Sequence, residues 1–348
     1  MRQLVQMNET RRISRPSLLL AVALGFVVLI VVMGSWRGMR WWEWAHYDKP
    51  VWSPDGSRIL IHYGGRAAES NQLVIVNPIS RFWAPRTRTI DVPARLLRLP
   101  AWRSETEVSL FSREIVNDVF EPAMLLLCNI NTHEWQRCRA PLPTPMGIAW
   151  HPNGTFALVS LQDSPPYTPE IAPPGVYKFV PERCEFRLWH EAEEPYTVSF
   201  SPDGRFVAFF NYIQPGDDSE RRLADVRLVI ADVETKNILV TNVLASETPS
   251  RRWSVDGGAG LSWSPDGEWL VGIGDMVTYR SEWDYDVDSG FFIVPATSTG
   301  EVTFWPTDFN PVDFDMSPSG NEIVVTTVTA AFIGKNTIRI LNVPQQFE

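Results

Sequence analysis

The chain has 348 residues, 44% of them hydrophobic and 12% aromatic, with a formal net charge of −10, so there is ample apolar material for a large core. Residues 1–40 hold six Arg and one Glu, which leaves 25 basic and 40 acidic side chains in the rest, a net charge of about −15. An acidic body without a basic run argues against nucleic acid as a partner, and three cysteines are too few for a disulfide scaffold.

The N-terminus differs in character from the rest of the chain. Arg2, Arg11, Arg12 and Arg15 precede nineteen uncharged residues, Pro16–Gly34. As a helix this run spans about 28 Å, close to the hydrocarbon thickness of a bilayer. It is longer than a signal-peptide apolar region and no A-x-A-like site comes after it, which favours a retained anchor over a cleaved signal. The expected organisation is a cytoplasmic tail over 1–15, a transmembrane helix over 16–35 and a juxtamembrane segment over 36–46. The excess of arginine on the N-terminal side puts that end in the cytoplasm and the body of the chain outside it, in a cell membrane crossed once. Trp36, Trp41, Trp42 and Trp44 stand where an interfacial aromatic belt is expected.

From Trp52 onward one short stretch recurs. WSPDG occupies Trp52–Gly56 and Trp263–Gly267, and FSPDG occupies Phe200–Gly204. Looser copies are WHPNG at Trp150–Gly154 and MSPSG at Met316–Gly320, with a degenerate one at Trp102–Glu105. A period near 50 residues marks a repeat architecture. Pro presets φ for the first corner of a turn, Asp tolerates the second, and Gly takes the left-handed backbone. Each copy is therefore a turn between two strands, and each unit carries two further strands, such as Arg227–Asp232 and Ile238–Val243 in the fourth. Four antiparallel strands per repeat describe a propeller blade.

These residues resemble the TolB-like, or prolyl-oligopeptidase-type, β-propeller repeats, whose blades carry an aromatic-Ser-Pro-Asp-Gly turn between their first two strands. The resemblance covers roughly residues 46–348. It implies an all-β, six-bladed β-propeller over 47–348, preceded by the single N-terminal transmembrane helix. The motif is specific for the fold and nearly silent about function, since one scaffold hosts many roles. Ala245–Gly260 fills the one long gap between turns and reads as an insertion on one face.

No G-x-S-x-G elbow, H-E-x-x-H helix or phosphate-cradling glycine loop is present. His46, His62, His133, His151 and His190 are scattered without metal-ligand spacing, and His133 and His151 read as turn residues. Asp284, Asp286 and Asp288 alternate before Gly290 as oxygen ligands do in calcium loops. The glycine comes one position late and Pro295 stands where a bidentate Glu belongs, so the alternatives are a Ca²⁺ site and an acidic loop; no other cofactor is implied. Cys128 and Cys138 flank the turn Asn131–Glu134 and form either a disulfide or two buried thiols, while Cys184 has no evident mate.

The expected function is non-catalytic: a membrane-tethered platform that binds another protein or membrane complex on the extracytoplasmic face, as the resemblance to TolB-like propellers implies. The alternative is a propeller that binds small ligands or glycans at its central opening, and a weaker third reading is a hydrolase or lyase using propeller-top carboxylates. The sixth unit ends with too few residues for a fourth strand, so Arg40–His46 is expected to pair with it as its outer strand.

Overall fold

The repeated turn sets the fold. In the computed structural model, Ser53 N–H donates to Arg58 O (2.8 Å), Gly56 N–H to Ser53 O (2.8 Å), and the Ser53 hydroxyl to Asp55 Oδ1 (2.5 Å). The same bonds recur at Ser201 and Ser264, where the serine hydroxyl again donates to Asp203 or Asp266 and accepts the amide N–H five residues on. At His151 the backbone bonds persist, and the ring Nδ1 accepts the Asn153 N–H at 3.3 Å in place of the hydroxyl's role. Burial pushes the Asp55 carboxyl up, but the bonds from Ser53 and Ser57 and the charge of Arg58 outweigh it and bring its pKa down to about 2. Gly204 is required twice over. Its φ is +73°, and an added Cβ would lie 2.5 Å from Nε2 of His151 in the preceding turn. Gly56 likewise sits against Pro318, so the first and last turns meet as neighbours.

The described residues are 46–64, 72–77, 87–93, 97–112, 115–116, 119–120, 123–141, 144–162, 172–213, 225–244, 251–254, 260–280, 285–296, 302–329 and 335–343. The expected tail, the transmembrane segment 16–35, and Trp36, Trp41, Trp42 and Trp44 lie outside them. No helix among the described residues is long and apolar enough to cross a membrane.

Ala45–Glu348 packs as one unit and forms a six-bladed β-propeller. Blade 1 holds β1 (His46–Trp52), β2 (Ile59–Gly64), β3 (Gln72–Val76) and β4 (Thr87–Asp91). Blade 2 holds β5 (Leu97–Trp102), β6 (Glu107–Ser112), β9 (Met124–Asn129) and β10 (Trp135–Arg139), with a small hairpin of β7 (Ile115–Val116) and β8 (Val119–Phe120). Blade 3 holds β11 (Thr144–Trp150), β12 (Ala157–Gln162), β13 (Gly175–Val180) and β14 (Glu185–Glu191). Blade 4 holds β15 (Glu194–Phe200), β16 (Phe206–Ile213), β17 (Asp225–Asp232) and β18 (Ile238–Leu244). In blade 5, β19 (Arg251–Ser254) and β20 (Leu261–Trp263) both pair with β21 (Trp269–Tyr279), followed by β22 (Tyr285–Pro295) and β23 (Thr303–Pro306). Blade 6 holds β24 (Asn310–Met316), β25 (Glu322–Thr329) and β26 (Lys335–Asn342). His46, expected in the closing strand, instead starts β1 and pairs with Gly64.

The second turn departs from the others because it is one residue shorter. Trp102 pairs with Val108, whereas Trp52 pairs with Ile59, and Arg103 N–H donates to Glu107 O across the tighter corner. A shorter corner has no left-handed position to fill, which is why it lacks the glycine. Arg58 spans from the first turn to this one, donating to Glu105 O (2.7 Å) and lying 5.0 Å above the Trp102 ring.

Each pair of adjacent blades shares an apolar cluster. The cluster between blades 2 and 3 has fourteen buried residues, from Phe111 and Leu125 to Trp150 and Phe179. Among the described residues the cluster between blades 6 and 1 has four, Trp52, Ile59, Ile61 and Val324, with Val74, Val76 and Ile338 partly buried beside them.

The cysteines are paired differently from the expectation. In the β9–β10 hairpin Cys128 lies opposite Trp135 and Cys138 opposite Leu125, three residues out of step, so Cys128 and Cys138 cannot join. Cys138 is instead bonded to Cys184, which follows the short 3₁₀ turn Pro181–Arg183 of blade 3 with φ of +49°. Their Cα atoms are 5.1 Å apart. Cys128 is a buried free thiol whose pKa burial pushes up to about 11.

Candidate interaction surface

The innermost strands surround the axis, and the residue just before each turn's aromatic is Val51, Ala101, Ala149, Ser199, Ser262 or Asp315. Five are small or apolar and the sixth is a carboxylate. Asp315 Oδ2 accepts the Trp52 N–H of blade 1 at 2.8 Å, and Oδ1 accepts the Ser262 hydroxyl of blade 5 (3.3 Å) and the Met316 N–H (3.0 Å). One carboxylate thus ties three blades at the joint where the ring closes. Burial raises its pKa to about 6, against the lowering by these hydrogen bonds and by Lys49. The backbone crowds at the same depth: a Cβ on Gly260 of blade 5 would stand 2.7 Å from Phe314 O of blade 6.

Blade 5 carries the other distinctive feature. β21 and β22 each run eleven residues, longer than the strands of any other blade among the described residues. Their outer halves, from Gly274–Gly290 to Tyr279–Tyr285, extend past the end of β23, which pairs only with Ile293 to Gly290. β19 runs along the inner side of this extension, Arg251 opposite Thr278 and Ser254 opposite Asp275. The expected insertion at Ala245–Gly260 is therefore partly a strand that widens the blade, and the result is a three-stranded tab. Residues 285–288 form its outer edge, with no fourth strand beside them among the described residues. Val287 is 47% exposed there, between Asp286 and Asp288.

This arrangement places two of the three aspartates. Asp286 and Asp288 lie on a strand, not a loop, opposite Thr278 and Met276, and both point to solvent. Asp286 forms an ion pair with Arg280 across the hairpin. Asp284 lies outside the described residues, and no group of three metal-ligating side chains occurs among them. Charges flanking an edge that has no further strand among the described residues discourage strand-to-strand aggregation. His151 and His133 fall in turns as expected: His151 packs its ring on Phe156 and Phe200, and His133 has φ of +61° in the β9–β10 turn.

The Cys138–Cys184 pair was missed in the sequence, although a signal existed. The two are 46 residues apart, close to one repeat, and in a propeller residues one repeat apart lie on neighbouring blades. The tab had no comparable signal, because its strands differ from loop sequence only once their pairing is known.

No protein-family model matches the sequence, and no curated protein is similar to it. Among solved structures, the chain is similar to hydrazine synthase from Kuenenia stuttgartiensis (16% identity, 80% of this chain and 75% of that one, TM-score 0.53). It is similar to TolB from Acinetobacter baumannii (13% identity, 76% of this chain and 55% of that one, TM-score 0.50). It also resembles the β-propeller domain of the Trilobed protease from Pyrococcus furiosus, described as having an open velcro topology (11% identity, 86% and 82%, TM-score 0.50). The chain thus spans about half the length of the TolB structure it matches. At these identities the likeness establishes the fold alone: a TolB-like, six-bladed β-propeller. Two of the three similar proteins are enzymes or parts of enzymes by name, so the fold leaves catalysis open.

Proposed function

We propose that this propeller is a membrane-anchored, non-catalytic platform that binds another protein on the extracytoplasmic side through the tab of blade 5. The observation that carries the reading is the raised edge of β22, where an apolar side chain and a backbone with no neighbouring strand among the described residues stand between charges. Such an edge accepts an extended segment of a partner by strand addition, with backbone bonds for affinity and side chains for register. The Cys138–Cys184 bond supports a compartment outside the reducing cytoplasm. The uncharged run Pro16–Gly34 supports the anchor.

Affinity purification of the full chain from detergent-solubilised membranes tests this, run in parallel with Val287→Asp. The expected result is a stoichiometric partner recovered with the parent chain and lost with the variant, while both melt alike. Equal recovery with Val287→Asp would remove the tab from the interface. A screen with ester, peptide and glycoside substrates is expected to show no turnover; turnover abolished by one side-chain substitution would overturn the non-catalytic reading.

A further inference from the structure

The tab of blade 5 presents a particular set of backbone groups. Thr307 N–H donates to Ser289 O at 2.9 Å, so the Ser289 backbone faces β23 rather than β21. The pairing of β21 with β22 runs without a bulge from Trp269–Pro295 to Tyr279–Tyr285. Alternation therefore turns the Val287 N–H and C=O away from β21 as well, toward the side where no further strand stands among the described residues. β23 ends at Pro306, opposite Gly290, and the chain then leaves through Thr307–Phe309, where the Thr307 hydroxyl donates to Phe309 O at 2.7 Å. An open edge thus continues the line that β23 begins.

Side chains along that edge divide by face. Asp286 and Asp288 share one face with Thr278 and Met276, and Val287 lies on the other, opposite the buried Val277. Both carboxylates are exposed, and so is Asp308, two residues beyond the end of β23. Arg280 pairs with Asp286, but both side chains are more than half exposed, so the pair is weakly held. The other cations of the blade among the described residues, Arg251 and Arg252, belong to β19, which pairs with β21 and not with β22. Two strand spacings, about 10 Å, separate that strand from the edge, close to one Debye length in physiological salt. A second copy of this chain is a poor occupant, because two such edges set antiparallel put carboxylate opposite carboxylate.

Resting on the reading of the tab as a docking site, we propose that its occupant is an extended, basic segment of the partner protein, with Lys or Arg on either side of an apolar residue. The apolar residue stands opposite Val287 and exchanges two backbone hydrogen bonds with it. Its neighbours in the segment then fall opposite Asp286 and Asp288, on the face of the carboxylates, with about 5 Å between facing Cβ atoms. The net charge of about −15 beyond residue 40 draws a basic segment in from a distance.

The test uses the full chain in detergent and three short, blocked, labelled peptides: alternating Lys and Val, alternating Glu and Val, and alternating Lys and Pro, which keeps the charge but cannot form a strand. Binding is followed by fluorescence anisotropy. The Lys–Val peptide is expected to bind the parent, and the other two are expected to bind little. Asp286→Lys with Asp288→Lys is expected to weaken the Lys–Val peptide by about tenfold and to admit the Glu–Val one. Val287→Pro removes the N–H that faces the edge and none that bonds to β21, so it is expected to abolish binding with little change in melting midpoint. The charge-reversed chain decides the matter if the proline variant does not fold. Lys–Val binding that survives the charge reversal, or equal binding of the Lys–Val and Glu–Val peptides to the parent, would overturn the proposal, as would no binding by any peptide. A dimer of the parent that Val287→Pro dissolves would put a second copy on the edge and overturn it also. The platform and its basic ligand fail separately. A membrane partner lost with Val287→Asp but kept with the charge reversal leaves the docking tab standing and removes the basic segment. A partner kept with Val287→Asp removes the tab itself.

Discussion

The joint between blades 2 and 3 and the joint between blades 6 and 1 hold the same kind of sheets together by different means. The first has fourteen buried residues, a Trp150 indole N–H on Ser109 Oγ (2.8 Å), and a disulfide from the outer strand of one blade to a turn of the next. Among the described residues the second has four buried residues, a buried Trp52 indole N–H with no hydrogen-bond partner, and the carboxylate of Asp315 reaching from strand to strand. Consecutive blades are connected by a few residues of chain, so their contacts are nearly local. Blades 1 and 6 come together across the whole length of the propeller, and among the described residues the loop entropy of that closure is met by the packing of Trp52, Ile59 and Ile61 on Val324 and by the bond from the Trp52 backbone N–H to Asp315. Among the described residues, the difference points to the joint between the first and last blades as the vulnerable one.

The comparison is broken most severely by emptying the weaker joint. Trp52→Ala removes the largest member of a four-residue cluster and is expected to cost about 3–5 kcal/mol, as large-to-small aromatic substitutions do. Trp150→Ala loses similar contacts but leaves the disulfide, so its unfolding is expected to remain a single transition while that of Trp52→Ala broadens. Chemical denaturation followed by tryptophan fluorescence distinguishes them. Next in size is the staple itself. Replacing Cys138 and Cys184 by Ser is expected to lower stability by about 2–4 kcal/mol, and thereby to bring the stronger joint nearer the weaker. A calorimetric midpoint unchanged by the double substitution would mean the bond adds nothing to that joint.

A smaller effect concerns pH. The folded-state pKa of Asp315, about 6, lies above its ordinary value of 3.8 because burial disfavours the charge. Its contribution is therefore fully present below about pH 4 and lost as pH rises through 6. His190 works in the opposite sense, since burial holds its pKa below 6.5 and favours the neutral ring at higher pH. Melting midpoints measured from pH 4 to 7 for the parent and Asp315→Asn isolate the first: the parent is expected to lose stability relative to the variant as pH rises through 6. Parallel curves would show that the carboxylate does not titrate there. The smallest effect is expected at the tab. Asp286→Asn with Asp288→Asn changes exposed side chains and is expected to shift stability by less than about 0.5 kcal/mol. The same variant is expected to aggregate faster, because the edge loses its charges. Calcium and chelator are expected to give the same midpoint for the parent; a rise with calcium would favour a metal site at Asp284, Asp286 and Asp288.

Much of this fold was legible before the structure because its strongest signal is local. A Ser-Pro-Asp-Gly turn encodes its own dihedrals and hydrogen bonds, so Ser53, Ser201 and Ser264 could be placed from sequence, and the spacing of the aromatics before them counted the blades. What was hidden depends on register. The Cys128–Cys138 pairing looked plausible from the turn between them, yet the hairpin's alignment sets them three residues out of step, and Cys138 turns to the next blade. The acidic run looked like a loop because alternation of Asp is common to calcium loops and to charged strand edges, and only the pairing with Thr278 and Met276 puts Asp286 and Asp288 on a strand. Asp315 gave no sign at all. A single aspartate before Met316 acquires its meaning from Trp52 and Ser262, which lie 263 and 53 residues away.

Native-state hydrogen exchange of the intact chain tests the difference between the joints most directly, because it reads local opening strand by strand. The amides of β1, β25 and β26 are expected to exchange through an opening well below global unfolding, while those of β9, β10, β12 and β13 exchange only with the whole domain. Equal protection in the two sets, or slower exchange at β1 and β26 than at β9 and β12, would contradict the assignment of the joint between blades 6 and 1 as the weakest in the ring.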